Sequence, residues 1–316
     1  MPSFILRRII SLVFVLLIAV TVTFCLLRMA PGSPFALGEK QASPETIAAQ
    51  ERKFDLDGPI WWQCVRYLGF AKGNSGERSG LLQGNLKPCL KYKDRTVAEL
   101  IAQALPVSAI LGASALLLST VIGVWLGSMA ALRKHTWVDS ATMLGALATI
   151  SVPTFVTGPA LVLVFSLWLG WLPVGGWTGF SSLILPAVTL AGPFVAYIAR
   201  LSRTSVLEVL NQDFVRTAHA KGLSERRVLY KHVLKVGILP VVSFLGPLAA
   251  NLLTGSLVIE SVFSLPGMGG FFVNSVLNRD VFLCCGSVTI YCTLLVSMNL
   301  VVDIAYKWLD PRIRLE

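Results

Sequence analysis

Charged residues are scarce in this chain of 316 residues: 14% are Asp, Glu, Lys or Arg, while 54% are hydrophobic. Soluble domains carry roughly a quarter charged residues. The shortage excludes an ordinary water-soluble domain and makes lipid the solvent for much of the chain. Histidine is scarcer still, with only His135, His219 and His232. None of the six cysteines (Cys25, Cys64, Cys89, Cys284, Cys285, Cys292) stands in a C-x-x-C pair, so zinc-ligand spacing is absent. No G-x-x-x-x-G-K-[ST] run occurs, which excludes the usual nucleotide-phosphate cradle. The histidines lie beside basic segments without a catalytic pattern of carboxylates, so a membrane-embedded enzyme has no convergent acid/base or metal set to work with. The sequence therefore reads as neither a catalyst nor a cofactor carrier.

What the chain does have is long uncharged runs. Residues 9–27 form the first, about 28 Å as a helix, close to the hydrocarbon thickness of a bilayer. Arg7 and Arg8 precede it, which keeps the N-terminus in the cytoplasm. A signal peptide has a shorter core and a small-residue cleavage site; this run is too long and Arg28-Met29-Ala30-Pro31 is a poor site, so an uncleaved helix is expected. The run 101–132 gives helix two, which exits at Arg133-Lys134 and contains the close-packing step Gly123 and Gly127. Residues 140–199 are again free of charge, enough for two spans broken at Pro173, Gly175 and Gly176. Helix three is placed near 140–170, kinked by Pro153 and Pro159, and helix four near 183–201. Helix five is placed at about 236–260 with a bend at Gly246-Pro247, and helix six at about 281–305. The expected fold is an all-α membrane protein with six transmembrane helices and both termini cytoplasmic.

The formal net charge of +10 raises nucleic acid as a partner, but the basic residues lie between apolar runs, where topology and anionic lipid account for them. There is no aromatic-basic alternation for base stacking. The deduced cytoplasmic pieces hold 15 Lys/Arg and 7 Asp/Glu, the outer pieces 12 and 10. Ten of those outer cations lie in residues 31–100, a long segment that the positive-inside rule discounts. Within it, Ser43-Pro44-Glu45 reads as a helix start and Asp57-Gly58-Pro59 as a turn. Trp61, Trp62 and Tyr67 suggest interfacial anchors, and residues 72–80 have the composition of a mobile loop tip. This long insert is expected outside the cytoplasm, as a small unit without a core of its own, and there Cys64 and Cys89 can pair as a disulfide.

One basic segment, 202–235, has no evident purpose in a pore. Leu207, Leu210, Phe214 and Ala218 recur along one helical face, with Arg203, Arg216 and Lys221 off it. Gly222 stands as a helix stop. Ser224 caps a second helix with Glu225 in its first turn, followed by Arg226, Arg227, Val228 and Leu229. Two short helices about a glycine make a rigid knob that suits a partner's groove or a charged lipid surface.

The run Asp213-Phe214-Val215-Arg216-Thr217-Ala218-His219-Ala220-Lys221-Gly222-Leu223-Ser224 resembles the coupling loop of ABC importer permeases of the dipeptide/oligopeptide/nickel family. Arg216, Thr217 and Ala218 hold the places of that motif's Glu-Ala-Ala, and Gly222 holds its glycine. His232-Val233-Leu234-Lys235 stands where the general motif has Ile-x-Leu-Pro. The likeness continues in Leu82-Gln83-Gly84-Asn85-Leu86, in Thr96-Val97-Ala98-Glu99-Leu100-Ile101, and in Leu105-Pro106. It runs on through Glu260-Ser261-Val262-Phe263-Ser264-Leu265-Pro266-Gly267-Met268-Gly269, Asn278-Arg279-Asp280 and Leu309-Asp310-Pro311-Arg312. The chain departs from the family at Val281-Phe282, where Tyr-Pro is usual, and in the glycine-rich stretch 71–80.

The resemblance implies a type I importer permease fold in a bacterial inner membrane, in three parts: tail and first helix (1–30), extracytoplasmic region (31–100) and core permease domain (101–316). It implies a second similar permease, two cytoplasmic ATPase subunits, an extracytoplasmic solute-binding protein and surrounding lipid as partners, with no nucleic acid and no cofactor. Asp213, Phe214, Arg216, Thr217, Ala218, Ala220, Lys221, Gly222, Leu223 and Ser224 would form the coupling site. Peptides are the implied cargo; nickel or another small solute is the alternative, since the binding protein selects first. A self-powered secondary transporter would place ionisable residues at mid-membrane or repeat its halves, and neither pattern is found. Asn251, Thr254, Ser297 and Asn299 are polar groups that lipid penalises, candidates for a translocation path or for interhelical hydrogen bonds.

Overall fold

The computed structural model describes residues 2–30, 32, 34–36, 43–92 and 94–309. Among them the secondary structure is helical, with a single isolated bridge between Pro88 and Thr96 and no strand. Helix α1 spans Pro2–Met29, apolar over Ile10–Met29. The insert carries α2 (Pro44–Lys53) and α3 (Ile60–Leu68). Ser43 caps α2 as its sequence suggests: its hydroxyl accepts from the backbone N–H of Thr46, and Pro44 opens the first turn. Helix α4 (Val97–Leu132) has 36 residues, about 54 Å and well over the ~30 Å hydrocarbon slab, so its ends project beyond the lipid.

The third apolar segment is more than kinked. Helix α5 (Trp137–Ser151) meets α6 (Thr154–Leu161), which continues as a π-helical stretch over Val162–Trp168, at 102°. Pro153 lacks an N–H and drives Val152 into extended geometry (φ −93°, ψ 120°), which ends the ladder outright. Helix α7 (Phe180–Leu210) follows, then the short helices α8 (Asp213–Ala220), α9 (Glu225–Val228) and α10 (Leu234–Gly237). The bend expected at Gly246-Pro247 lies elsewhere. Residues Glu225–Gly237 turn 54° into α11 (Leu239–Leu253) at Ile238, just before Pro240. Gly246 and Pro247 stay within α11. The fifth segment also stops short of 260, at Thr254 and Gly255, whose φ of +95° needs glycine. Ser256 then caps α12 (Leu257–Val262), and α13 (Gly269–Leu277) and α14 (Val281–Leu309) complete the chain. Four helices are long and apolar enough to cross a bilayer unbroken, and the two bent pairs raise the number to six if each is one span.

Compactness groups the chain into two units: residues 2–107 with 267–294, and residues 108–266 with the chain from Leu295. In the first, Tyr67 is 1% exposed and stacks between Phe24 and Phe282, each 5.5 Å away. It is a core residue, not an interfacial anchor, because Cys64, Tyr67 and Leu68 share the buried face of α3 while Trp61 points outward. The insert thus packs on α1, α4 and α14 rather than around a centre of its own. Within residues 72–80, Asn74 ties the stretch to the turn that precedes α3. Asn74 donates from its backbone to Asp55 and from its amide to the Arg52 carbonyl and to Asp57.

Asp280 is the polar centre of this unit, 1% exposed at the start of α14. One carboxylate oxygen accepts the backbone N–H groups of Leu90 (2.8 Å) and Lys91 (3.2 Å) and the Cys89 thiol (2.8 Å). The other oxygen accepts from Leu283 at 3.0 Å. Burial, reinforced by the neighbouring carboxylate, pushes the Cys89 thiol up to about 12. Both Cys64 and Cys89 are free thiols, which corrects the expected disulfide: Cys89 is spent on Asp280, whereas Cys64 lies on α3 against Thr21 and Cys25 of α1.

In the second unit, α4 lies against α7 at its glycine step. A Cβ on Gly123 would sit 2.8 Å from Ile198, and one on Gly127 would overlap the Ala199 carbonyl, so only glycine permits the approach. Asp139, 5% exposed in the first turn of α5, takes a two-pronged bond from Arg203 of α7 at 2.5 and 2.7 Å. It also accepts the backbone N–H of His135.

Two outcomes follow from these contacts. Asp280→Asn removes the charge and puts an amide NH2 in place of one acceptor oxygen, so that in either orientation it faces at least one backbone donor, which costs on the order of 2–3 kcal/mol and opens Cys89 to maleimide at pH 8; an unchanged melting temperature with a protected thiol would contradict the role assigned to Asp280. Arg203→Met alone strands the Asp139 charge and destabilises by about 3 kcal/mol, and adding Asp139→Leu recovers much of the loss. A thermal double-mutant cycle with additive effects would show that the pair does not act as one.

Candidate functional site

The segment following α7 builds a knob from the end of that helix. Asn211 ends α7 by donating its side-chain amide to the Leu207 carbonyl at 2.9 Å. Gln212 is extended and becomes the N-cap of α8. This break shifts the helical phase, so the face expected from Leu207, Leu210, Phe214 and Ala218 is not one continuous stripe. Phe214 is turned out, 40% exposed, and Val215 takes its buried place.

Helix α8 stops at a glycine-dependent motif. Gly222 has φ +75°, its N–H donates to the His219 carbonyl, and that of Leu223 reaches back to Ala218. This is the two-bond pattern of a Schellman stop, with an apolar contact between Leu223 and the helix it closes. Ser224 supplies the extended N-cap residue of α9 and Glu225 its first acid; the Ser224 side chain makes no capping bond. After Val228 the chain widens into a π-helical turn, Leu229–Val233, before α10.

Beneath these turns lies a small apolar core. Ala131, at the end of α4, and Val206 and Val209 of α7 pack with Val215 and Ala218 of α8 and with Val228, Leu229 and Val233. The opposite surface holds Asp213, Phe214, Arg216, Thr217, Ala220, Lys221, Gly222 and Ser224, all exposed, with Leu223 half-buried at the edge. Arg216 and Asp213 approach to 3.7 Å on the open surface, an ion pair of little energetic weight. Of the residues predicted for coupling, only Ala218 is buried; the rest are brought together on one presentable face.

The polar residues proposed for a path lie on or at the end of α11 and on α14. Asn251 is exposed on α11, while the Thr254 hydroxyl turns back to the Ala250 and Asn251 carbonyls. Asn299 lies on α14 with its amide oxygen 2.6 Å from where a Gly246 side chain would begin, a seat that requires glycine. Ser297 is half-buried on the same helix. The residue pair that sequence reading missed is Asp139–Arg203, 64 positions apart in the chain. Both lie at the edge of apolar runs, and no local spacing signals their contact. Among the described residues no group of three His, Cys, Asp or Glu side chains is placed to hold a metal ion.

Comparison with known proteins agrees along the whole chain. Residues 123–315 match the family described as binding-protein-dependent transport system inner membrane component, and residues 1–112 match its N-terminal counterpart. The oligopeptide transport system permease protein OppB of Salmonella typhimurium is 44% identical over 99% of this chain and all of its own length. The dipeptide transport system permease protein DppB of Bacillus subtilis is 36% identical over 100% of this chain and 99% of its own. In structure, a chain of the inward-facing MetNI methionine ABC transporter aligns with a TM-score of 0.54 at 13% identity, covering 67% of this chain and 97% of the other. That likeness extends to the fold alone and places the helices in the type I importer arrangement. With long apolar helices and an exposed knob on a full-length match, the chain is a multi-pass membrane protein and belongs to the binding-protein-dependent transport system inner membrane component family.

Proposed function

We propose that this chain is the permease half of an ATP-driven importer that passes di- and oligopeptides across the bacterial inner membrane. The observation that carries this reading is the full-length relation to oligopeptide and dipeptide permeases at 36–44% identity. The termini and the 202–235 segment lie in the cytoplasm, and the 31–100 insert faces outward. A second similar permease completes the pathway, a solute-binding protein delivers cargo from outside, and ATP is hydrolysed by two separate cytoplasmic subunits. Asn251, Thr254, Ser297 and Asn299 are assigned to the neighbourhood of the path.

The knob receives the mechanical input. Its exposed face, from Asp213 to Ser224, seats in a groove of an ATPase subunit. Its buried face is continuous with Val206 and Val209 of α7, so a displacement of the knob becomes a tilt of that helix. Arg203–Asp139 passes the tilt to α5, and the close α4–α7 contact at Gly123 and Gly127 passes it to α4. Packed interiors transmit such strain because they resist compression. These are positioning roles and involve no bond chemistry in this chain.

Gly222→Pro cannot adopt φ +75° and lacks the N–H given to His219. In the reconstituted complex the variant is expected to insert and assemble but to lose peptide-stimulated ATP hydrolysis and uptake about 100-fold, the scale of misplaced mechanical or catalytic geometry. Thr217→Cys and Ala220→Cys are expected to crosslink to the ATP-hydrolysing subunit. Normal uptake by the proline variant, or labelling of Thr217→Cys from outside intact cells, defeats the assignment.

A further inference from the structure

Between α4, α5 and α7, within the second unit, runs a groove of about 550 Å³. Leu118 and Ile122 of α4, Gly145 and Ala146 of α5, and Gly192 and Ala196 of α7 form its walls. A Cβ on Gly145 would meet nothing within 4 Å, and one on Gly192 would reach only Thr149, at 3.4 Å. The unit therefore leaves this space unfilled. Thr142 and Thr149 also line it, yet both hydroxyls are turned onto carbonyls of their own helix, Val138 and Gly145. The walls present hydrocarbon and no hydrogen-bonding group in need of a polar ligand.

The two ends of the groove differ in charge. At one end α4 gives way to Arg133 and Lys134, α5 begins with Trp137, and Arg200 follows Ala199 in α7, all four exposed. None of the three cations has a carboxylate partner among the described residues, because Asp139, the acid at this end, is taken by Arg203; Arg200 lies over the Tyr197 ring at 5.9 Å, which leaves its charge uncompensated. Toward the other end, residues 140–199 and 101–132 contribute no charge at all. An apolar slot with a cationic mouth and an interfacial tryptophan matches a molecule with an anionic head and a hydrocarbon tail. We propose that the groove binds an anionic glycerophospholipid, one acyl chain lying along Ile122, Gly145 and Gly192 and the phosphate held by Arg133, Lys134 and Arg200. A helix of a neighbouring permease would also fill the apolar walls, but it gives no account of the cations without a carboxylate that follow the groove-lining stretches of α4 and α7. The inference rests on the chain crossing a bilayer and is independent of its cargo.

The purified importer complex, exchanged into phosphatidylcholine and challenged with phosphatidylglycerol of the same acyl chains, tests this by native mass spectrometry of retained lipid. About a 10-fold preference for the anionic lipid is expected at low salt, collapsing when Arg133, Lys134 and Arg200 are all changed to Gln. Gly145→Leu fills the slot, adds a better helix former, and is expected to abolish retention at an unchanged melting temperature. Equal retention of the two lipids, a preference that survives the triple change, or retention in Gly145→Leu would each overturn the proposal. So would a photocrosslinker at Ala146 that captures a permease chain instead of lipid.

Discussion

The apolar contact between the end of α7 and the turns that follow is what holds the knob of the second unit in place. Val206 and Val209 belong to a helix of 31 residues, about 46 Å long at 1.5 Å per residue. That length carries α7 past the hydrocarbon and leaves its last turns free to serve as a floor for α8 and α9. Without Val215, Ala218, Val228 and Val233 set on that floor, two helices of eight and four residues would be too short to persist in water. Packing makes them a rigid extension of a membrane helix, and rigidity is what the proposed coupling role requires.

Buried acids hold such elements at fixed places. Asp139 and Arg203 neutralise each other where α5 begins, which lets an apolar helix start beside a strongly basic segment without stranding the buried carboxylate. Asp280 does the corresponding work in the first unit. Its carboxylate gathers donors from residues 89–91 and from the first turn of α14, where the helix dipole also favours a negative charge. Both of these buried carboxylates are satisfied by several bonds, as a low-dielectric setting demands.

Much of the architecture was legible before any coordinates, for a definite reason. Hydrocarbon thickness and the cost of an unpaired backbone group leave few options to a long uncharged run, so the six apolar segments could be located, although α7 runs nine residues past its expected end and α11 stops seven short. Local chemistry was legible as well: Gly222 as a helix stop and Ser43-Pro44 as a helix start depend on neighbours one to four positions away. The errors share a different cause. Phe214 was favoured over Val215 because periodicity assumes an unbroken helix, and Asn211 breaks it. Tyr67 suggested an anchor because Trp61 lies nearby, whereas its ring partners are Phe24 and Phe282. Pro153 was visible in the sequence, but not that its break would reach 102°.

Composition and spacing by themselves determined that this chain lives in lipid, that it crosses by helices, and that one basic elbow interrupts them, because solvent thickness and short-range backbone geometry act on local sequence. Only tertiary structure decided that Cys89 serves Asp280 and not Cys64, that Arg203 answers Asp139, and that α4, α5 and α7 leave a slot open beside a cationic rim. Those outcomes depend on which distant surfaces meet, and contacts between residues tens to hundreds of positions apart leave no periodic trace in a single sequence.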